Sequence, residues 1–396
     1  VILDNGSLDF NDIIRPATFY SQSHGTAQIA QNEVIAQGTA IFAIVDFFDR
    51  NISMRLTNRK WVLNSHPSGM PVEDNWRMET ESITDLSDGY VIARALYLSV
   101  DPYMRGRISA KQGYAATVKP GDLMVGGAVG EVIESKHPDW KAGDLLETIQ
   151  FGWQEYCVLN PEKATRVNPN LGSPHAWLSY LGMPGVTAWC ALNLVGQPKA
   201  NDTVVISAAS GAVGQVAGQL AKTAGCRAIA VASSQSKIDW CLDLGYDAGI
   251  NYTTSENLAE DMANLCPNGI DIFFDHTAGP IHDAAMKNLA IGARVIVIGT
   301  ISLADRFDQP DIGERFLRQI LVTRAKVSGF LVFDHLDAYD DARQSLADLA
   351  ARGDLKFKTD FIDGIENMPA AFLRLLHSAN MGKQLIRTPF ANGLAE

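Results

Sequence analysis

The stretch Thr203–Gly225, TVVISAASGAVGQVAGQLAKTAG, decides how this chain is read. It opens with a β-branched apolar run, Thr203–Ser207, and passes into a helical pattern near Ala212–Ala224. Between the two lies A-x-x-G-x-x-G, set by Ala208, Gly211 and Gly214. Small residues allow a tight turn there and let backbone N–H groups come close to an anion. The helix start adds a field that favours negative charge. A glycine pattern alone is weak evidence. A strand before it and a helix after it supply the context of a pyrophosphate cradle.

Downstream the same rhythm repeats. Strand Arg227–Ala232 precedes a helix near Ser236–Leu244, and a short strand near Gly249–Ile250 precedes a helix near Asn257–Leu265. Strand Asp271–Phe274 precedes helix Ile281–Ala290. Strand Ala293–Gly299 precedes a helix near Ile312–Thr323 and a last strand, Lys326–Val332. These are continuous apolar runs, as strands covered by helices on both faces require. Six strands with helical crossovers predict an α/β fold of the Rossmann kind, a doubly wound parallel sheet.

Upstream, from about Met54, short β-rich stretches alternate with Gly and Pro turns: GYVIARALYLSVDP, GGAVGEVIES, GDLLETI and WQEYCVLN. That spacing predicts a mostly antiparallel β-domain. Ser179–Leu194 turns helical. The expected division is a substrate domain over 54–180, a cofactor domain over 181–335 and a segment 336–396 that returns to the first domain. That last segment carries one or two helices and a closing strand, Lys383–Arg387. Residues 1–53 read either as an extension or as an upstream segment outside the working fold.

Bulk properties narrow the classes. With 396 residues and 46% hydrophobic content the chain can build two packed domains. A net charge of −12 argues against nucleic acid as main partner, since phosphate backbones need a concentrated basic surface. The cysteines, at 157, 190, 226, 241 and 266, are odd in number and form no C-x-x-C pair. A disulfide framework is not expected, and a reducing cytoplasm fits. No run of about 18 apolar residues exists to span a membrane. Thr39–Phe48 is too short and carries Asp46.

The glycine turn leaves the choice of nucleotide open. An NAD site places an acid roughly 20 residues further on, at the ribose 2′-hydroxyl. Here the second strand ends AIAVASSQSK, with Ser233, Ser234 and Lys237 in place of an acid. Hydroxyls and a cation suit a 2′-phosphate, so NADP(H) is the expected cofactor. A zinc site is not expected, because GGAVGEVIES lacks histidine and the eight histidines show no ligand spacing. No G-x-S-x-G elbow supports acyl hydrolysis.

From about Met54 to Arg387 the chain resembles the zinc-independent medium-chain dehydrogenases/reductases, in the leukotriene/prostaglandin and curcumin reductase branch. NRKWVL, LSVDPYMRGRIS, LGMPGVTAW, SAASGAVGQVAGQLAKTAGC, LGYDAGINY and ANMGKQLI carry the resemblance. It implies a GroES-like β-domain beside the Rossmann domain. It implies that Gly211, Ala212, Val213 and Gly214 grip the pyrophosphate, and that Lys237 and Tyr252 hold the 2′-phosphate, in agreement with the reading of Ser233 and Lys237 above. Ile298, Gly299, Thr300, Ile301 and Ser302 would line the nicotinamide, with Phe330, Leu331 and Val332 as a second segment. Asn380 would close over the cofactor, and Tyr103 would face the substrate cleft. The alternative for Tyr103 is a packed aromatic at the domain edge.

Two departures stand out. Many relatives read Ile-Ser-x-Tyr-Asn after the fifth strand, whereas this chain reads TISLADRF, with Ala304 at the tyrosine position. FDHTAG also replaces a more usual Asp-Asn-Val-Gly-Gly, bringing His276 and Thr277 near the cleft. His276 reads as a structural histidine. The reaction implied is NADPH-dependent reduction of the carbon–carbon double bond of an enone or enal. NADPH quinone reduction and non-catalytic NADPH binding are the alternatives, and Ala304 favours the last. The resemblance also implies a homodimer.

Overall fold

The computed structural model describes residues 56–393 apart from Gln112 and Asn392, so the expectations for residues 1–53 lie outside the described residues. The β-domain begins with a hairpin of β1 (Leu56–Leu63) and β2 (Trp76–Ile83). It continues through β3 (Val91–Ser99), a short helix α1 (Met104–Arg107), β4 (Ala128–Ser135), β5 (Leu145–Thr148), β6 (Tyr156–Leu159) and β7 (Thr165–Arg166). Helix α2 (Met183–Cys190) leads into the second domain. There β8 (Thr203–Ser207), α3 (Gly214–Thr223), β9 (Arg227–Ala232), α4 (Gln235–Asp243), β10 (Ala248–Asn251), α5 (Leu258–Leu265), β11 (Ile270–Asp275), α6 (Gly279–Met286), β12 (Leu289–Val297), α7 (Leu317–Thr323) and β13 (Lys326–Gly329) follow in turn. The returning segment holds α8 (Tyr339–Ala351), β14 (Thr359–Asp363), α9 (Met368–Leu376) and β15 (Lys383–Arg387).

The six-stranded sheet runs β10-β9-β8-β11-β12-β13, all parallel, with the order of connection reversing between β8 and β11. That is the doubly wound order, and the crevice at the switch point is where such sheets bind ligands. Side-chain alternation explains the continuous apolar runs. Val204, Ile206 and Phe274 enter the core shared with the β-domain, while Val205 and Phe273 enter the core under α5 and α6. The other sheet runs β14-β15-β3-β4-β5-β7, with β6 also on β3. It is antiparallel except for the β14–β15 pair.

Several element ends differ from expectation, each for a local reason. The helix predicted to Ala290 stops at Met286, because the Asn288 side chain donates to Ala284 and Ala259 carbonyls and Leu289 already starts β12. The helix predicted from Ile312 starts at Leu317, since Phe316 adopts a left-handed φ of 52°. The last strand of the sheet ends at Gly329, short of Val332, where a 3-10 turn takes over. β14 is an addition to the expected strands. It has no fully buried residue and so lacks a strong apolar signal.

The returning segment is held by main chain. From α3, the Gln215 amide bonds Lys358 N and O, and the Gln219 amide bonds Lys356 N and O, at 2.7–3.2 Å. Two glutamines thus do for residues 356–358 what a neighbouring strand would do.

Candidate cofactor site and cleft

The turn after β8 is built for close approach. A side chain at Gly214 would meet the Ala208 and Ala209 carbonyls at 2.6 Å. Gly218, one helical turn on, would collide with the Tyr246 ring, whose hydroxyl donates to Gly214 O at 2.7 Å. Ala208 carries a positive φ of 46°, a geometry that favours glycine. Gly211 bridges Gly382, and Gly382 N donates to Ser210 O at 3.0 Å, so the segment around Asn380 lies against the turn. Asn380 is buried and its amide donates to Gly382 O at 2.9 Å.

A cavity of about 990 Å³ opens at the carboxyl ends of the parallel strands. One end is lined by Ser233, Ser234, Lys237, Tyr252, Ser378 and Asn380. Lys237 Nζ donates to Ser233 Oγ at 3.0 Å and to the Ser378 carbonyl. Burial, then the nearby Arg374 guanidinium, lowers the Lys237 pKa, with Asp360 opposing. Ser234 caps α4. A cation and hydroxyls converging on a crevice fit a 2′-phosphate. The sequence had no signal for Ser378, which contributes a carbonyl from a left-handed residue with φ 54°.

The other end is lined by Thr277, Ala278, Ile301, Ser302 and Ala304, with Met70 of the β-domain across from them. Ser302 Oγ donates to Thr277 O at 2.6 Å. Ile298 and Gly299 donate backbone N–H groups to Asp275 O and lead up to this lining without joining it. Thr300 is exposed. Phe330 and Val332 are buried in the shared core, and Phe330 stacks on His335 at 5.1 Å. Leu331 is exposed, and none of these three residues lines the cavity.

Tyr103 also stands outside the lining, packed against the β-domain core at the start of α1. Burial, then the Asp101 carboxylate, raises its pKa well above the ordinary phenol range. Its hydroxyl therefore keeps its proton. Ala304 is buried, and its carbonyl accepts from Arg105 Nε at 2.8 Å, which ties the cavity loop to α1.

The β11–α6 corner holds two histidines with opposite surroundings. His276 Nδ1 bonds Ser207 O at 2.6 Å, its Nε2 is buried without a partner, and burial lowers its pKa. His282 bonds the fully buried Asp275 at 2.8 Å, and that bond raises its pKa. Asp275 also accepts from the N–H groups of Thr277 and Ala278. Among the described residues, no group of three or more His, Cys, Asp or Glu side chains converges as metal ligands would.

Comparison with known proteins agrees with this architecture. Residues 59–167 match the family described as N-terminal domain of oxidoreductase, and residues 212–351 match the family described as zinc-binding dehydrogenase. The described side chains do not fit the zinc of that description. The NADPH-dependent curcumin reductase of Escherichia coli (strain K12) is 35% identical over 83% of this chain and 96% of that protein. Prostaglandin reductase 1 of Oryctolagus cuniculus is 33% identical over 82% of this chain and 92% of that protein. The crystal structure of CurA from Vibrio vulnificus in complex with NADPH superposes with a TM-score of 0.79, at 36% identity, over 83% of this chain and 99% of that one.

Proposed function

The chain belongs to the medium-chain dehydrogenase/reductase superfamily, in the branch of prostaglandin, curcumin and alkenal reductases, and from that premise we propose that it is a metal-independent, NADPH-dependent double-bond reductase of α,β-unsaturated ketones or aldehydes. One observation carries the reading: a single cavity joins the Lys237–Ser233–Tyr252 cluster to the Thr277–Ser302–Ala304 end. The bound cofactor supplies the hydride that adds to the β-carbon of the substrate.

The chain's own residues orient and polarise. Lys237, Ser233 and Tyr252 fix the 2′-phosphate, and the Gly211–Gly214 turn presents backbone N–H groups to the pyrophosphate. As hydride adds, charge builds on the substrate carbonyl oxygen, where a preorganised donor helps most. Tyr103, kept protonated by burial, is the β-domain donor the family resemblance offers for that oxygen, and from its place outside the cavity lining it reaches the oxygen only if the substrate extends past that lining. The α-carbon takes its proton from solvent. The test is steady NADPH oxidation with a panel of enones, enals and quinones. Turnover confined to quinones, or NADPH binding with no turnover at all, overturns the reading.

The same reading includes a homodimer. β13 is an edge strand, and Leu317, Leu321 and Val327 on α7 and β13 are 69%, 74% and 45% exposed. An apolar face beside an open strand edge invites a second copy. Sedimentation of the wild type should give a dimer and of Leu321→Glu a monomer. A monomeric wild type removes this part of the reading.

A further inference from the structure

We infer that Lys383 is a positioning residue, which with Asp101 fixes the turn carrying Tyr103 and Arg105 against the phosphate-side turn at Ser210–Gly211. The inference rests on the reductase reading for its rate arm only.

Lys383 opens β15 and is 1% exposed. A lysine so deeply buried needs full pairing. Its Nζ donates to Val100 O at 2.9 Å and to Asp101 Oδ1 at 2.6 Å. Asp101, itself buried, accepts from Ser99 through its other oxygen. Burial lowers the lysine's pKa and the carboxylate opposes that.

The pair lies on a continuous run of bonds between the two sides of the cleft. On the cofactor side, Lys383 follows Gly382, which bonds Ser210 and bridges Gly211. Its own N–H donates to Lys358 O at 3.0 Å, so it cannot shift along the strand alone. On the substrate side, Asp101 O accepts from Met104 N at 3.2 Å and opens the turn into α1. Arg105, on α1, holds the Ala304 and Gly69 carbonyls at 2.8 and 3.0 Å. Lys383 is thus where two turns of different domains meet. A buried ion pair adds little net stability over apolar residues of like volume, which often fold as well, so the role inferred for this pair is geometric. Small misplacements at a reacting centre are costly in rate, by as much as about 100-fold for 1 Å.

The experiment uses the full chain and the double variant Asp101→Leu/Lys383→Met, because Lys383→Met alone strands a buried carboxylate. Three quantities are read: the NADPH dissociation constant, enone kcat and KM, and amide hydrogen exchange of residues 103–107 with and without NADPH. In the wild type, NADPH should slow exchange in 103–107. The folded double variant should bind NADPH within about 3-fold of wild type. It should lose that slowing, with kcat down about 10-fold or more and KM moved less. A folded double variant that keeps both the slowing and kcat overturns the inference. If the double variant does not fold, Asp101→Asn decides: it keeps an acceptor for Lys383 and loses the charge. A smaller fall in kcat with weakened slowing supports the inference, and wild-type values of both overturn it. If the wild type reduces no enone, the reductase reading fails, while the exchange arm still tests the coupling.

Discussion

At one end of the cavity, Ser233, Ser234 and Lys237 stand on the β9–α4 corner, where a strand end and a helix cap fix each backbone position. At the other end, Thr277, Ala278, Ile301, Ser302 and Ala304 stand on the corner after β11 and the loop after β12. The first end gathers a cation and hydroxyls, a provision that can be read from residue type. The second is made of loop backbone and small side chains, whose shape depends on how loops lie. The two departures from the family pattern named above, Ala304 and the His276–Thr277 pair, fall at or next to the second end, with Thr277 and Ala304 in its lining. The polar character of the first end is therefore written locally, and the shape of the second is not.

The largest effect should come from the substrate side. Tyr103→Phe removes the assigned donor and should lower kcat by about 10²-fold, with KM less affected and NADPH affinity untouched. Unchanged turnover on a good enone would return Tyr103 to packing, consistent with its place outside the lining. Adding Ala304→Tyr to the Tyr103→Phe variant should restore part of the rate if a phenol there reaches the same oxygen.

Lys237→Ala tests the opposite end. Loss of a charge-assisted contact of about 1.5–3 kcal/mol should weaken NADPH by about ten-fold or more and leave NADH nearly unchanged. Equal weakening of both cofactors would erase the contrast between the two ends.

Ala278→Gly probes strain at the cleft. Ala278 has φ 57° and ψ −159°, a region that only glycine occupies at ease, and its N–H is held by Asp275. Relief should stabilise the fold by about 1 kcal/mol, seen as a higher denaturant midpoint. A lower midpoint would mean that the corner needs the alanine.

The smallest effects concern pH. His276 has its pKa lowered by burial, so its contribution holds above the unfolded value of about 6.5 and is lost as pH falls below it. His282 has its pKa raised by Asp275, so its contribution is full below about 6.5 and is lost as pH rises through the folded value. Replacing His276 with Asn should flatten the acid limb of stability, and replacing His282 with Asn the neutral limb. Identical pH curves for the two variants would contradict the assigned surroundings.

The parallel sheet was legible because β8, β9 and β11 are apolar on both faces and each precedes a helix. The convergence of Ser233 and Lys237 on one end of the cavity was legible because what is missing there, an acid, has a chemical meaning. The Ser378 carbonyl, the Asn288 helix stop and the left-handed Phe316 were not, since each depends on backbone geometry that many residue types can adopt. The Gly218–Tyr246 fit was hidden for another reason: it joins residues from two separate elements by shape alone.

β15 gives the molecule an order of assembly. The six parallel strands are all present once Gly329 has been made. The Tyr97–Ser99 end of β3, by contrast, lies beyond β6 and has β4 on one side only until residues 383–387 arrive, with Leu385 opposite Ser99 and Ile386 opposite Leu98. While the chain is being synthesised, that edge of β3 has open N–H and C=O groups, the kind of edge that recruits other chains. Contacts so distant in sequence also form slowly. The β-domain that comes first in the sequence therefore cannot complete its sheet until the last strand has been made, and a chain cut just before residue 383 would keep all six parallel strands beside an open end of β3.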